Sequence, residues 1–145
     1  MTIRKLLPQD LPACAGILMS VYNNDLWQCR WTEDSADAYL TDLTRMPGFL
    51  GYVIEDSDGL RAALLGREKV WWNANEIHVE ELFVKPEYQR MGYGSLLLGE
   101  VEKHVRAKHL AGITLSTNRY APAPSFYQKN GFEPCEHVLF MCKKI

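Results

Sequence analysis

Between Phe49 and Val84 the chain holds three strand-like runs joined by connections too short for a crossover, and this stretch alone forbids an all-parallel sheet. Leu50, Tyr52 and Ile54 alternate, Asp56-Ser57-Asp58-Gly59 reads as a hairpin turn, and Leu60 to Val70 continues as a long apolar strand. A further strand runs from about Asn75 to Val84. Strands two to four are therefore expected to form an antiparallel meander.

The flanking segments carry helical spacing. Thr2 to Leu6 reads as a short opening strand; Asp10 then caps a helix with Pro12 in its first turn and Leu11, Cys14, Ala15, Leu18 and Tyr22 along one face. A second helix, capped by Thr32 or Asp34, places Ala36, Leu40 and Leu43 on its apolar stripe and stops at Met46-Pro47-Gly48. After the meander, Leu97, Leu98, Val101 and Val105 recur at helical spacing between Ser95 and Lys108, with Gly112 closing that helix. Ile113 to Ser116 is a fifth strand, Pro124 to Lys129 a short helix ended by Asn130-Gly131, and Val138 to Lys144 a final strand. The strand-helix-strand crossover from Val84 to Ile113 is a right-handed parallel unit. Combined with the meander, it predicts an α/β (α+β) fold: a mixed, mostly antiparallel sheet covered by about four helices.

At 145 residues, without repeats or a linker-like stretch, the chain is expected to form one domain spanning 1–145. No apolar run approaches the roughly 20 residues of a membrane span, and the first residues show no signal-peptide pattern, so a cytoplasmic protein is expected. A net charge of −2 with both signs interspersed argues against nucleic-acid binding. Cys14, Cys29, Cys135 and Cys142 have no metal-ligand spacing and are read as reduced thiols, so no metal is expected.

Chemistry concentrates between the fourth strand and the long helix. Gln89-Arg90-Met91-Gly92-Tyr93-Gly94 sets two glycines and an Arg at a helix N-terminus, where free amides and the helix dipole favour an anion and glycine admits a phosphate close to the main chain. No Gly-Lys-Ser/Thr triplet is present, and the third glycine of a dinucleotide fingerprint is missing. The run Val84-Lys85-Pro86-Glu87-Tyr88-Gln89-Arg90-Met91-Gly92-Tyr93-Gly94 resembles the acetyl-CoA-binding signature of the GNAT superfamily of N-acetyltransferases. Phe126-Tyr127-Gln128-Lys129-Asn130-Gly131-Phe132 is similar to that family's late helix motif, and the order of elements matches along essentially the whole chain. The look is nearest to diamine, polyamine or aminoglycoside acetyltransferases.

The resemblance implies about seven strands, splayed between the fourth and fifth, with acetyl-CoA as acyl donor and an amine attacking the thioester directly. It implies that Leu82, Phe83 and Val84 flank the pantetheine arm and that the amides of Arg90, Met91, Gly92, Tyr93, Gly94 and Ser95, with Gln89 beside them, hold the pyrophosphate. The family's usual Asn, seven residues before the acid Tyr, is Tyr120 here, with Asn118 two residues early. Tyr127 falls at the general-acid position. For the base, alternation places Glu80 and Glu81 on opposite faces, but a bulge shifts that parity, and spacing leaves Glu80, Glu81 and His78 all open. By likeness to diamine and polyamine acetyltransferases the base aligns with Glu80, followed by Glu81 and then His78.

Trp27 and Trp31 between the first two helices, and Trp71 and Trp72 with Glu76 before the fourth strand, suit a small cationic amine through cation-π and charge contacts. Two alternatives stand beside that reading: a protein or peptide N-acetyltransferase, and a non-catalytic acyl-CoA-binding domain. A homodimer is suggested by analogy with relatives.

Overall fold

The computed structural model describes residues 1–145. Its strands are β1 (Thr2–Lys5), β2 (Phe49–Asp56), β3 (Gly59–Lys69), β4 (Glu76–Val84) and β5 (Ile113–Leu115). Its helices are α1 (Leu11–Tyr22), α2 (Glu33–Thr44), α3 (Tyr93–Ala107) and α4 (Ala123–Lys129). The five strands lie in sequence order, antiparallel throughout except for the parallel β4–β5 pair. No helix is long and apolar enough to cross a membrane, and all four cysteines are free.

Both sheet faces are covered, which is why Leu50 to Ile54 of β2 form an unbroken buried run rather than an alternating one. On one face Cys14, Leu18, Ala36 and Leu40 of α1 and α2 pack on Val53, Ala63, Leu65 and Phe83; on the other Leu97, Leu98 and Val101 of α3 pack on Ile54, Leu64, Ile77 and Val79. Each large aliphatic side chain buried this way contributes about 1.5–3 kcal/mol. Thr32 caps α2, its hydroxyl accepting from the Ser35 amide at 3.1 Å. Asp10 does not cap α1. It is the last residue of a 3-10 turn with helical backbone, and its carboxylate instead accepts from the Leu7 amide at 2.7 Å and from Arg4 at 2.8 and 2.9 Å. That pairing holds the Asp10 carboxyl below the usual carboxylate range.

The sheet has five strands, not about seven, and the strand expected over Val138–Lys144 does not form. β5 is only three residues long and offers a short edge. After Phe132 docks edge-on to Tyr127 at 5.4 Å, Pro134 and a turn closed by the Val138 amide on the Cys135 carbonyl lead the tail outward, leaving Leu139 78% and Phe140 86% exposed. A groove of about 700 Å³, bordered by Val105, Leu110, Ile113 and Phe132, lies beside that edge.

One irregularity interrupts the β3–β4 pairing. Leu65 pairs with Glu81 but Gly66 pairs with Val79, so Glu80 is an extra residue on β4, a β-bulge. Gly66 makes room for it: a Cβ there would stand 2.6 Å from the His78 carbonyl oxygen. Gly66→Ala is accordingly expected to cost roughly 1–3 kcal/mol in stability by chemical denaturation.

Candidate active site

The bulge turns both carboxylates to one side of the sheet. Ile77 and Val79 face α3, as do Leu82 and Val84 after the bulge, so Glu76, His78, Glu80 and Glu81 all fall on the α1/α2 face. Glu81 is half-buried, and its Oε1 accepts a 2.6 Å hydrogen bond from the Tyr39 hydroxyl. Burial pushes its carboxyl up; the hydrogen bond from Tyr39 offsets part of this, while the charge of Glu80 adds to it. Glu80 keeps a partly exposed side chain, with Oε1 4.0 Å from His78 Nε2. Tyr127, on α4, has its phenol pushed up to about 12 by burial and by the charge of Glu81, so it stays protonated at neutral pH.

β4 has one open edge. It pairs with β5 only along Ile77, His78 and Val79. The Lys85 amide donates to the Arg61 carbonyl at 2.8 Å; alternation then turns Phe83 and Glu81 toward β3, and Leu82 and Val84 toward the splayed side. The carbonyls there are already engaged: Tyr22 donates its hydroxyl to Leu82 at 3.3 Å and Gln89 donates Nε2 to Val84 at 3.1 Å. The Leu82 amide faces the gap. Phe83 departs from its expected place beside the pantetheine arm, because its side chain is 1% exposed in the α1/α2 core and its backbone serves β3.

The edge leads to the start of α3. Its first helical bond runs from the Leu96 amide to the Gly92 carbonyl at 3.0 Å, leaving the amides of Tyr93, Gly94 and Ser95 without an intrahelical partner, and no side chain caps them. Gly92 has φ +87° with open space where a Cβ would project, and Arg90 has φ +63°. Gly94 is needed for a different reason, since a Cβ there would lie 2.7 Å from the Phe126 ring and its absence lets α4 approach α3. Arg61 braces the loop, donating to the Tyr93 hydroxyl at 2.6 Å, pairing with Asp56 and lying 4.3 Å from the centre of the Tyr88 ring. An open strand edge, a free amide and an uncapped helix start suit a thioester on a long arm ending in a diphosphate.

The other expected residues divide. Trp31 stacks on Tyr39 at 5.0 Å and Trp27 meets Tyr22 edge-on at 5.1 Å, so both lean on the tyrosines beside Glu81. Trp71 and Trp72 lie on an exposed turn, 52% and 87% exposed, and Trp71 already carries Lys69 at 4.8 Å over its ring. Glu76 lies within 3.9 Å of Lys69 and 3.4 Å of the Thr114 hydroxyl. Asn118 shapes the turn before α4, its Oδ1 accepting from the Tyr120 amide at 2.9 Å, and the Tyr120 ring is 90% exposed. Sequence reasoning missed Tyr39, Arg61 and the polar role of Tyr22. Tyr39 had a signal, since it sits three residues after Ala36 and beside Leu40 on the α2 stripe.

Residues 47–134 match the model of the acetyltransferase (GNAT) domain family. Among solved structures, the chain resembles a Trypanosoma brucei acetyltransferase (TM-score 0.73, 19% identity, 98% of this chain and 99% of that one). It also resembles the aminoglycoside N-acetyltransferase AAC(6')-Iy in complex with CoA (0.76, 17%, 99% and 95%). A Bacillus halodurans transcriptional regulator shares the fold as well (0.79, 18%, 98% and 99%). Because the matched residues take in β2 to α4, with the open edge of β4 and the start of α3 among them, the chain belongs to the GNAT family of acetyltransferases and draws its acyl group from acetyl-CoA.

Proposed function

We propose that this enzyme acetylates a primary amine of a small cationic acceptor by direct attack in a ternary complex. The observation that carries this reading is the pairing of Glu80 and Glu81 on one face of β4, beside its open edge. Acetyl-CoA, when bound, supplies an activated thioester. Amides of residues 90–95 hold its pyrophosphate, and the Leu82 amide donates to the thioester oxygen as negative charge develops there. Glu81, fixed by Tyr39, attracts the ammonium. Glu80, whose carboxylate no hydroxyl claims, takes the proton that must leave before attack. Tyr127 gives its proton to the departing thiolate. Trp27 and Trp31, rather than Trp71 and Trp72, present aromatic faces near the carboxylates. AAC(6')-Iy, also solved with the bisubstrate analogue CoA-S-monomethyl-acetylneamine, gives fold-level support for an amino-sugar or polyamine acceptor.

The test is thiol release from acetyl-CoA with a panel of diamines, polyamines, aminoglycosides and peptides. Turnover with the small cations supports the proposal. Turnover with peptides alone replaces the acceptor, and CoA binding without thiol release from any amine makes the protein an acyl-CoA sensor. Tyr127→Phe is expected to lower kcat about tenfold to a hundredfold at unchanged acetyl-CoA affinity; equal loss of both in kinetics and calorimetry would make Tyr127 a packing residue.

A further inference from the structure

We propose that the proton taken from the amine leaves the site through His78, which Thr114 and Glu76 hold in a single tautomer for that purpose. This rests on Glu80 being the group that first accepts the proton. His78 and Thr114 stand directly opposite each other in the β4–β5 pair, and His78 Nδ1 lies 2.9 Å from the Thr114 hydroxyl oxygen. That oxygen is 3.4 Å from Glu76 Oε1.

The tautomer follows from counting donors. An ionised carboxylate only accepts, so the single hydroxyl proton of Thr114 goes to Glu76. Thr114 must then accept from His78, and the ring proton sits on Nδ1. Nε2 carries the lone pair, and it is Nε2 that faces Glu80, 4.0 Å from Oε1. Two features of the fold set up this arrangement: the short parallel pairing that places Thr114 beside the ring, and the alternation of β4, which puts His78 and Glu80, two residues apart, on the same face.

The steps balance without redox chemistry. The ammonium gives one proton to the Glu80 carboxylate, leaving a neutral amine and a carboxylic acid. Once a side-chain rotation closes the 4.0 Å gap between them, the acid passes that proton to Nε2, restoring the carboxylate and forming an imidazolium. His78, partly exposed at its side chain, then releases one proton to solvent and returns to its starting tautomer. Each turnover thus exports one proton along β4, away from the thioester. Glu81 has no comparable exit, since its Oε1 is already engaged by the Tyr39 hydroxyl. Thr114 and Glu76 act here as positioning residues.

The experiment compares His78→Ala, His78→Asn, Thr114→Val and Thr114→Ser with the unaltered enzyme, using the best amine from the acceptor panel. His78→Asn retains a donor toward Thr114 but cannot carry a proton. Both His78 variants should lose roughly tenfold in kcat, with KM for each substrate within about twofold and a larger solvent isotope effect on kcat. Added imidazole should restore activity to His78→Ala. Thr114→Val should lose several-fold in kcat and Thr114→Ser should recover it. Unchanged kcat in His78→Asn, or failure of imidazole to restore folded His78→Ala, overturns the relay. If Glu80→Gln is impaired while His78→Asn is not, only the relay fails; if Glu80→Gln is fully active, the base assignment fails with it.

Discussion

Glu80→Gln is expected to lower kcat about a thousandfold, within the range typical of removing a positioned general base, while acetyl-CoA affinity stays unchanged. The amide keeps the size of the side chain and its place at the bulge, so the loss reads proton acceptance rather than packing. An amine that arrives already neutral needs no such acceptor. Turnover of Glu80→Gln should therefore recover as the acceptor is deprotonated by raising pH, and the recovery should follow the pKa of the amine chosen. Glu81→Gln should behave differently: with Glu81 proposed as the counter-ion to the ammonium, its loss raises KM for the acceptor more than it lowers kcat. Steady-state kinetics on both variants with one diamine separates the roles. A kcat collapse in Glu81→Gln beside an active Glu80→Gln would exchange them.

That separation was not legible in the sequence, and the reason is geometric. Strict alternation puts adjacent residues on opposite faces, and only the register against β3 shows that Glu80 is supernumerary. The clue lay on another strand, in Gly66, where a side chain would collide with the His78 carbonyl. Helices and strands through Lys129 were readable because their apolar spacing is local. The Val138–Lys144 strand was not, since its apolar residues are consistent with a strand but pairing depends on a partner edge that β5, at three residues, scarcely provides. Functional residues divide the same way. The glycine loop announces itself by composition, whereas Tyr39 and Arg61 act through contacts 42 and 32 residues away in sequence, which periodicity does not report.

Gly92→Glu is expected to weaken CoA binding about a hundredfold by calorimetry, the sum of two effects that other substitutions separate. The first is conformational. Gly92 holds φ +87°, a region that costs a residue with a Cβ roughly 1–2 kcal/mol. The second is electrostatic: a carboxylate over the uncapped amides of Tyr93, Gly94 and Ser95 satisfies those donors itself and repels the pyrophosphate. Gly92→Asn tests the first almost alone, because Asn tolerates left-handed backbone, and it should cost CoA only a few-fold. Steric exclusion is not the cause, as nothing lies within 4 Å of the position a Cβ would take. Gly94→Ala makes the contrast. Its methyl group meets the Phe126 ring at 2.7 Å, so the damage appears first as lost stability at the α3–α4 contact. If Gly92→Glu binds CoA as tightly as the unaltered protein, the pyrophosphate does not rest on the start of α3, and the assignment of residues 90–95 falls with it.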